Sequence, residues 1–497
     1  MGVSKSAVSR VTGVAVTPRN FNTGSAAMLP QRLVVIGVGN SDVNYDTKKH
    51  VCEGTAYEIG ERYGFGSPLH LAALQLFPQV GLCAAFPVTF IGVKSGDNDV
   101  AASGQITVSG SATSAGTVAI TLAGLKIEVA TAKGDTAATI KDKIIAAVNA
   151  QTNRAATAAS AGAEGAVVNL SARWKGVLGN RISLEVSSDV SGVAFTVAKF
   201  GNGVGTPDVT SALSEIGTSV WETFVLDTFD YMTKSDSKIS AASTLDTYQT
   251  WGEGRWDTLT KMPALVAHGC VDDFATRTAV SDERKTDYIN FFITSVGSSE
   301  LPFVVAAKGL LGMLTVADEN PPQNYKNVLT GLSRGDDTVQ EAYTVRNQSV
   351  LKGASTNIVN GSVAQLNDIV TFYHPDADGK YPSRRYVVDA VKLMNIVYNL
   401  RLITEADDVV GAPLVPDEQI TTNPTALQPK TFKTWFRNLA NSLGLNAIIS
   451  DVDFTLDNIT VSIDSENSKR VNYVFPVKVS GNVEVVSGDV YFGRYTA

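Results

Sequence analysis

The stretch Gly104–Gly203 constrains this chain most, because it is built from different amino acids than the sequence on either side of it. Gln105–Gly124 alternates β-formers with small polar residues between glycine turns, which predicts a half-buried antiparallel hairpin. One face of such a sheet needs a cover. Asp135–Val148 predicts a helix with Asp135 as N-cap and an apolar stripe of Ile140, Ile144, Ala147 and Val148. The strand period returns at Ala166–Arg173 and Arg181–Val186, so the segment reads as a self-contained β-rich module with one packed helix and no chemistry of its own.

Five pieces of this stretch, Gly104–Gly110, Gly134–Ala138, Ala147–Asn149, Leu170–Ile182 and Gly201–Asp208, resemble in order and spacing the tail sheath proteins of contractile phages, the Mu gpL-like group. Pro30–Gly37 and Leu414–Asn423 resemble the same group. The resemblance implies an α+β / α/β multidomain chain: a discontinuous α/β core of subtilisin-like shape, an inserted β-rich module, and β-strand terminal arms. The expected division is an N-terminal exchange arm (1–27), a first core part (28–94), an outward-facing module (95–203), a second core part (204–340), a tube-proximal α+β domain (341–470), and C-terminal strands with an exchange arm (471–497). It further implies a structural subunit, not an enzyme, that polymerises with itself as stacked hexameric rings in a helical sheath. The implied partners are a tail tube protein, baseplate proteins and tail terminator proteins, with assembly in the host cytoplasm and a final place in the virion tail.

The length of 497 residues exceeds what one core usually supports, so two to four domains are expected. A formal charge of −8, from 41 Lys+Arg against 49 Asp+Glu, argues against a general nucleic-acid surface, and no basic run of five occurs. No apolar run approaches the roughly 20 residues of a membrane span, and Met1–Lys5 is not followed by a signal-like apolar region, so neither membrane insertion nor secretion is expected. Cys52, Cys83 and Cys270 lack metal or framework spacing and read as buried or idle thiols. A sharper reading makes Cys52, within the polar run Lys48–Glu53, a possible intersubunit crosslink that becomes exposed outside the reducing cytosol.

Arg32–Gly37 predicts a buried central strand, and Phe86–Val93 a strand leading to the module. Ser67 and Pro68 open a helix. Gly37–Asp42 is half of a dinucleotide fingerprint, without its third glycine or following helix. Beyond the module, Pro207–Ile216, Ser243–Trp256 and Asp272–Lys285 read as helices, alternating with strands at Glu222–Leu226, Met262–His268 and Tyr288–Thr294, which predicts the second half of one α/β sheet. Ser383 is expected to cap a helix whose Tyr386, Ala390, Leu393, Val397 and Leu400 share a face. A serine-protease reading of Gly217–Trp221 with His50 or His70 lacks an orienting acid. His268 and His374 read as structural or solvent-facing, and Asp376–Gly379 as a turn. No catalytic, cofactor or metal residue is expected.

Pro429–Leu443 predicts an amphipathic helix that starts at proline and ends at Gly444. Phe432, Trp435, Phe436, Leu439 and Leu443 form its apolar arc, while Lys430, Lys433 and Arg437 form a basic stripe, the candidate tube contact. At the ends, Arg10–Thr17 is a strand without a local partner, Val471–Ser480 predicts a strand with one buried face, and Val483–Tyr495 is strand-like, which suggests strand exchange between subunits. The rival class is an α/β hydrolase or nucleotide-binding enzyme with a β-rich carbohydrate-binding accessory module. It needs a convergent set of ionisable groups that the sequence does not supply.

Overall fold

The structure, a computed structural model, describes the chain except residues 1–25, 53, 78–85, 163–164, 232–243, 334–339, 361–362, 375–383, 485 and 491–497. The expectations for Arg10–Thr17, Cys83, Asp376–Gly379, Ser383 and the end of Val483–Tyr495 therefore fall wholly or partly outside the described residues. The chain is mixed α/β and divides into two compact units, one of Met28–Asn395 with Asn482–Ala497, the other of Met1–Ala27 with Ile396–Gly481.

The larger unit is organised by a six-stranded sheet in the order Asn290–Thr294, Leu265–Cys270, Phe224–Asp227, Leu33–Gly37, Val88–Gly92, His50–Cys52. The first five strands run parallel and the last antiparallel. Leu33–Gly37 is buried along its whole length, as an interior strand covered on both faces must be. Alternation sorts the covering helices. Gly269 and Ile293 face the helix Pro302–Glu319, whereas Phe292 and Cys270 point the other way into a cluster with Leu245 and Val280. The helix Pro302–Glu319 is apolar nearly all round, a composition in which periodicity cannot distinguish helix from strand, and the sequence reading passed over it.

Between residues 101 and 201 lie two antiparallel sheets and the helix Ala137–Ala150. The expected hairpin within Gln105–Gly124 does not form: Ala101–Gly110 pairs with Val193–Gly201 and Val167–Lys175, while Gly116–Leu122 joins the other sheet with Leu125–Thr131 and Leu184–Ser188. Alternation identifies a strand but not its partner. The real tight hairpin turns at Ala123–Gly124, both at positive φ (51° and 80°), the twist a two-residue turn requires. The helix buries Ile140, Ile144 and Val148 as predicted, but its N-cap is Thr136, whose hydroxyl accepts from the Thr139 N–H. Asp135 instead accepts from Lys143 and from the Ala132 N–H.

The helix Val387–Thr404 corrects a predicted face. Val387, Val391, Met394 and Ile396 are buried together with Lys392, Asn395 and Asn399; of the predicted face Ala390 is buried, whereas Tyr386, Leu393, Val397 and Leu400 are only half-buried. The polar residues are drawn inside by unpaired backbone: the Leu29 N–H donates to Asn395 Oδ1, and Asn399 exchanges two hydrogen bonds with Ala27.

In the smaller unit, the helix Pro429–Leu445 packs on the helix Val452–Asn458 and the hairpin Thr460–Ile463 / Val471–Val474. Gly444 is inside the helix, not beyond it. A Cβ there would lie 2.3 Å from Val452 Cγ2, so this glycine permits helix contact, and Ala447 takes the left-handed turn at φ 54°. The last predicted strands are shorter than expected: the hairpin ladder stops at Val474, beyond it Val479 makes only an isolated antiparallel bridge to Ile449, Tyr473 and Val474 are exposed, and the described residues 483–490 form no strand. A strand-like sequence without a partner strand has nothing to satisfy its backbone groups.

Candidate assembly surfaces

Phe432, Phe436, Leu439 and Leu443 of the late helix are buried, with Ala440 beside them and Trp435 half-buried against Phe432 at 5.3 Å. That anchoring leaves Lys430, Lys433 and Arg437 exposed on the other side. Lys430 Nζ donates to the Asp417 carbonyl at 2.9 Å and Arg437 Nη1 to the Leu456 carbonyl at 2.9 Å. Both cations thus keep their charge uncompensated by a carboxylate in these contacts while their side chains are held in place. Beside the same helix a cavity of about 720 Å³ is lined by Val410, Pro413, Leu414, Phe432 and Tyr473. The smaller unit therefore combines a cationic stripe with exposed apolar positions, a composition suited to contact rather than to catalysis.

Cys52 is buried in the isolated chain, as the buried-thiol reading expects, so a crosslink would require it to become exposed in the polymer. His50 and Cys52 project from the edge strand towards Glu58, with His50 Nε2 2.5 Å and Cys52 Sγ 3.7 Å from its carboxylate. Burial, reinforced by Glu58, pushes the thiol up to about 11. Such a thiol is a poor nucleophile at neutral pH.

The acid–histidine pair that the sequence reading missed is Asp227–His268. These residues face each other on adjacent parallel strands, with Nδ1 2.9 Å from Asp227 Oδ2 and Nε2 2.9 Å from Asn290 Oδ1. Tyr248 donates to Asp227 at 3.1 Å, and the His268 and Asp227 side chains are 1% and 0% exposed. The cluster closes on itself and pins three strands in register. His374 is likewise buried, between the Phe372 carbonyl and Asp282. Ser219 lies exposed after the helix Thr210–Ile216, and His70 accepts from the Gly66 N–H, so neither belongs to a nucleophile–base–acid relay. Among the described residues no group of three or more His, Cys, Asp or Glu is placed to hold a metal ion, and no helix is long and apolar enough to cross a membrane.

Arg181 is the other constellation that sequence spacing did not reveal. It is the last residue of the short 3-10 turn Val177–Arg181 of the module and grips Asp230 and Asp272 of the core sheet's loops, with four contacts of 2.8–3.1 Å. Ser183 donates to the Ser299 carbonyl and Arg173 to the Phe65 carbonyl, so the module is fastened at separate points. Sites of this kind position structure.

Fold and surfaces together define a multidomain α/β protein whose polar clusters serve register and attachment. The chain is similar to a tail sheath protein: it is 26% identical over 391 residues, 75% of this chain and 74% of the relative, to the Mu-like prophage FluMu tail sheath protein of Haemophilus influenzae. No family model matches. Among solved structures, a sheath tail protein of Listeria innocua aligns over 93% of this chain and 96% of its own, with 11% identity and a TM-score of 0.49. A sheath tail protein of Desulfitobacterium hafniense aligns over 95% and 100%, with 9% identity and a TM-score of 0.46. The anti-feeding prophage helical sheath in its contracted state aligns over 98% and 99%, with 9% identity and a TM-score of 0.45.

Proposed function

We propose that this chain is the repeating subunit of a contractile tail sheath, which stacks as hexameric rings around a tail tube and shortens to drive the tube through a host envelope. The observation that carries the reading is the alignment with a prophage tail sheath protein across three quarters of both chains. Two features of the chain support its finer parts. The stripe Lys430, Lys433 and Arg437 offers an acidic tube a set of exposed cations in a chain of net charge −8. The segment after Asn482 is strand-like in sequence yet unpaired through its described part, as an arm awaiting a neighbour's sheet must be. Baseplate and terminator proteins would then bound the polymer, assembly would take place in host cytoplasm, and the sheath would remain in the virion.

The experiment is electron microscopy and sedimentation of the purified full chain beside a version lacking residues 484–497. The full chain is expected to form long hollow tubes. The truncated chain should melt cooperatively as a soluble monomer and form none. Tubes of normal length from the truncated chain would remove arm exchange, and failure of the full chain to polymerise at any concentration would remove the sheath reading itself.

A further inference from the structure

The side chain of Lys392 is completely buried, at 0% exposure, in the middle of the helix Val387–Thr404. Its ammonium lies 3.0 Å from Asp389 Oδ1, one turn earlier, and 2.8 Å from Asn482 Oδ1, ninety positions later in the chain. A buried ammonium is costly unless oxygens replace its water, and it offers three donors to be met. Asn482 is committed at both ends of its amide, because Nδ2 donates to the Pro322 carbonyl at 2.8 Å while Oδ1 accepts from Lys392. Two residues on, Glu484 accepts from the Tyr386 hydroxyl at 3.4 Å.

Beyond this point the character of the chain changes. Val483, Val486 and Val490 are 82%, 87% and 87% exposed, although valine is a residue that normally seeks a sheet or a core. The tail thus has a polar root, tied to buried groups of its own subunit, and an apolar extension with no cover in the isolated chain. A tail meant merely to be solvated would need neither the buried lysine nor the valines.

We propose that Lys392 and Asn482 form a latch that fixes the root of the C-terminal tail, so that the valine-bearing segment leaves every subunit from one point and is presented ready-placed to a second copy of this chain. The latch lowers the entropic cost of strand capture, because the root of the tail is already fixed when the neighbour arrives. Its use in assembly rests on the arm-exchange reading above, whereas its existence does not.

Both can be tested on the full-length chain kept monomeric by dilution. Glutamyl endopeptidase cleaves after Glu484, and mass spectrometry follows release of residues 485–497. Asn482→Ala should raise that cleavage rate about tenfold, the order expected for loss of one charge-assisted hydrogen bond, while the chain still melts cooperatively at a somewhat lower temperature because the buried ammonium loses an acceptor. Lys392→Met should raise cleavage to the same extent, with a lowered melt because Asp389 loses its cation, and the double variant should add no further cleavage. If Lys392→Met fails to fold, the half-exposed Asn482→Ala still decides the matter. Cleavage in Asn482→Ala at the wild-type rate overturns the latch. Raised cleavage together with an increased threshold concentration for tubes supports the latch and its role. Raised cleavage with unaltered tube formation supports the latch and removes arm exchange instead.

Discussion

Gly269 and Pro302 approach so closely that a Cβ on the glycine would stand 1.6 Å from the proline carbonyl oxygen. The glycine is in an interior strand and the proline opens the helix Pro302–Glu319, so one missing methyl group sets the distance between helix and sheet. The backbone carbonyl cannot move aside as a flexible side chain can. Gly269→Ala should therefore push the helix off the sheet and cost several kcal/mol by overpacking, roughly at or above the usual 1–3 kcal/mol. Gly481→Ala, which meets no atom within 4 Å, is the control. Denaturant melts of the two variants check the contrast, and equal stability would show that this approach is not limiting.

Arg181 should be worth more than an exposed ion pair, since its side chain is 18% exposed and those of Asp230 and Asp272 are 4% and 16% exposed. Arg181→Met leaves both carboxylates without their cation and should destabilise the larger unit by about 3 kcal/mol. Adding Asp230→Asn and Asp272→Asn should recover part of the loss. The same logic governs removal of the whole module: replacing 95–203 by a Gly/Ser linker should leave polymerisation intact, provided the two aspartates are neutralised with it. A folded core that forms no polymer would assign sheath contacts to the module.

His70 makes the protein acid-sensitive in a definite window. Its Nδ1 accepts from the Gly66 N–H at 3.0 Å and so must carry no proton. Burial first, and then the charge of Arg173, lower its pKa from 6.5 to about 4. A base whose folded pKa is depressed contributes its stability fully above the unfolded value, and the contribution is lost as pH falls from about 6.5 towards 4. The shift corresponds to roughly 3 kcal/mol at most. His70→Asn keeps an acceptor but cannot titrate, so the difference between its melting curve and the wild-type curve should shrink across that interval. A difference that stays constant with pH would show that His70 does not titrate there.

For the basic stripe, charge reversal of Lys430, Lys433 and Arg437 together should abolish co-sedimentation with a purified tail tube at low salt. Each exposed pair contributes only about 0.2–1 kcal/mol, but repetition over subunits makes the sum large and salt-sensitive. Normal decoration by the triple variant at both low and high salt would reduce the stripe to a solvated face.

Cys52 should be slow towards alkylation. With its thiol at about 11, the thiolate fraction near neutral pH is about a hundredfold below that of a free cysteine, before burial reduces access. Iodoacetamide labelling of monomer against polymer tests the crosslink expectation: only a marked rate increase in the polymer would allow Cys52 to join subunits.

What the sequence determined by itself was the local grammar. Leu33–Gly37 reads as an interior strand because five consecutive apolar or small residues have no solvent face to offer, and Ser67–Pro68 reads as a helix start because a hydroxyl acceptor precedes a residue with no N–H to satisfy. The order and spacing of motifs from Gly104 to Asp208 also carried the resemblance to sheath proteins without any geometry. Only the tertiary structure decided partnership. Ala101–Gly110 passes over its neighbour in sequence to pair with Val193–Gly201, and Asp227 meets His268 across a strand boundary. Arg181 finds Asp272 ninety-one positions away, and Lys392 finds Asn482 ninety away. Gly444 looked like a helix stop and proved to be a contact. Propensity and periodicity act over one or two turns of chain, whereas the free energy that selects a partner comes from burial and charge neutralisation between segments that the sequence alone does not bring together.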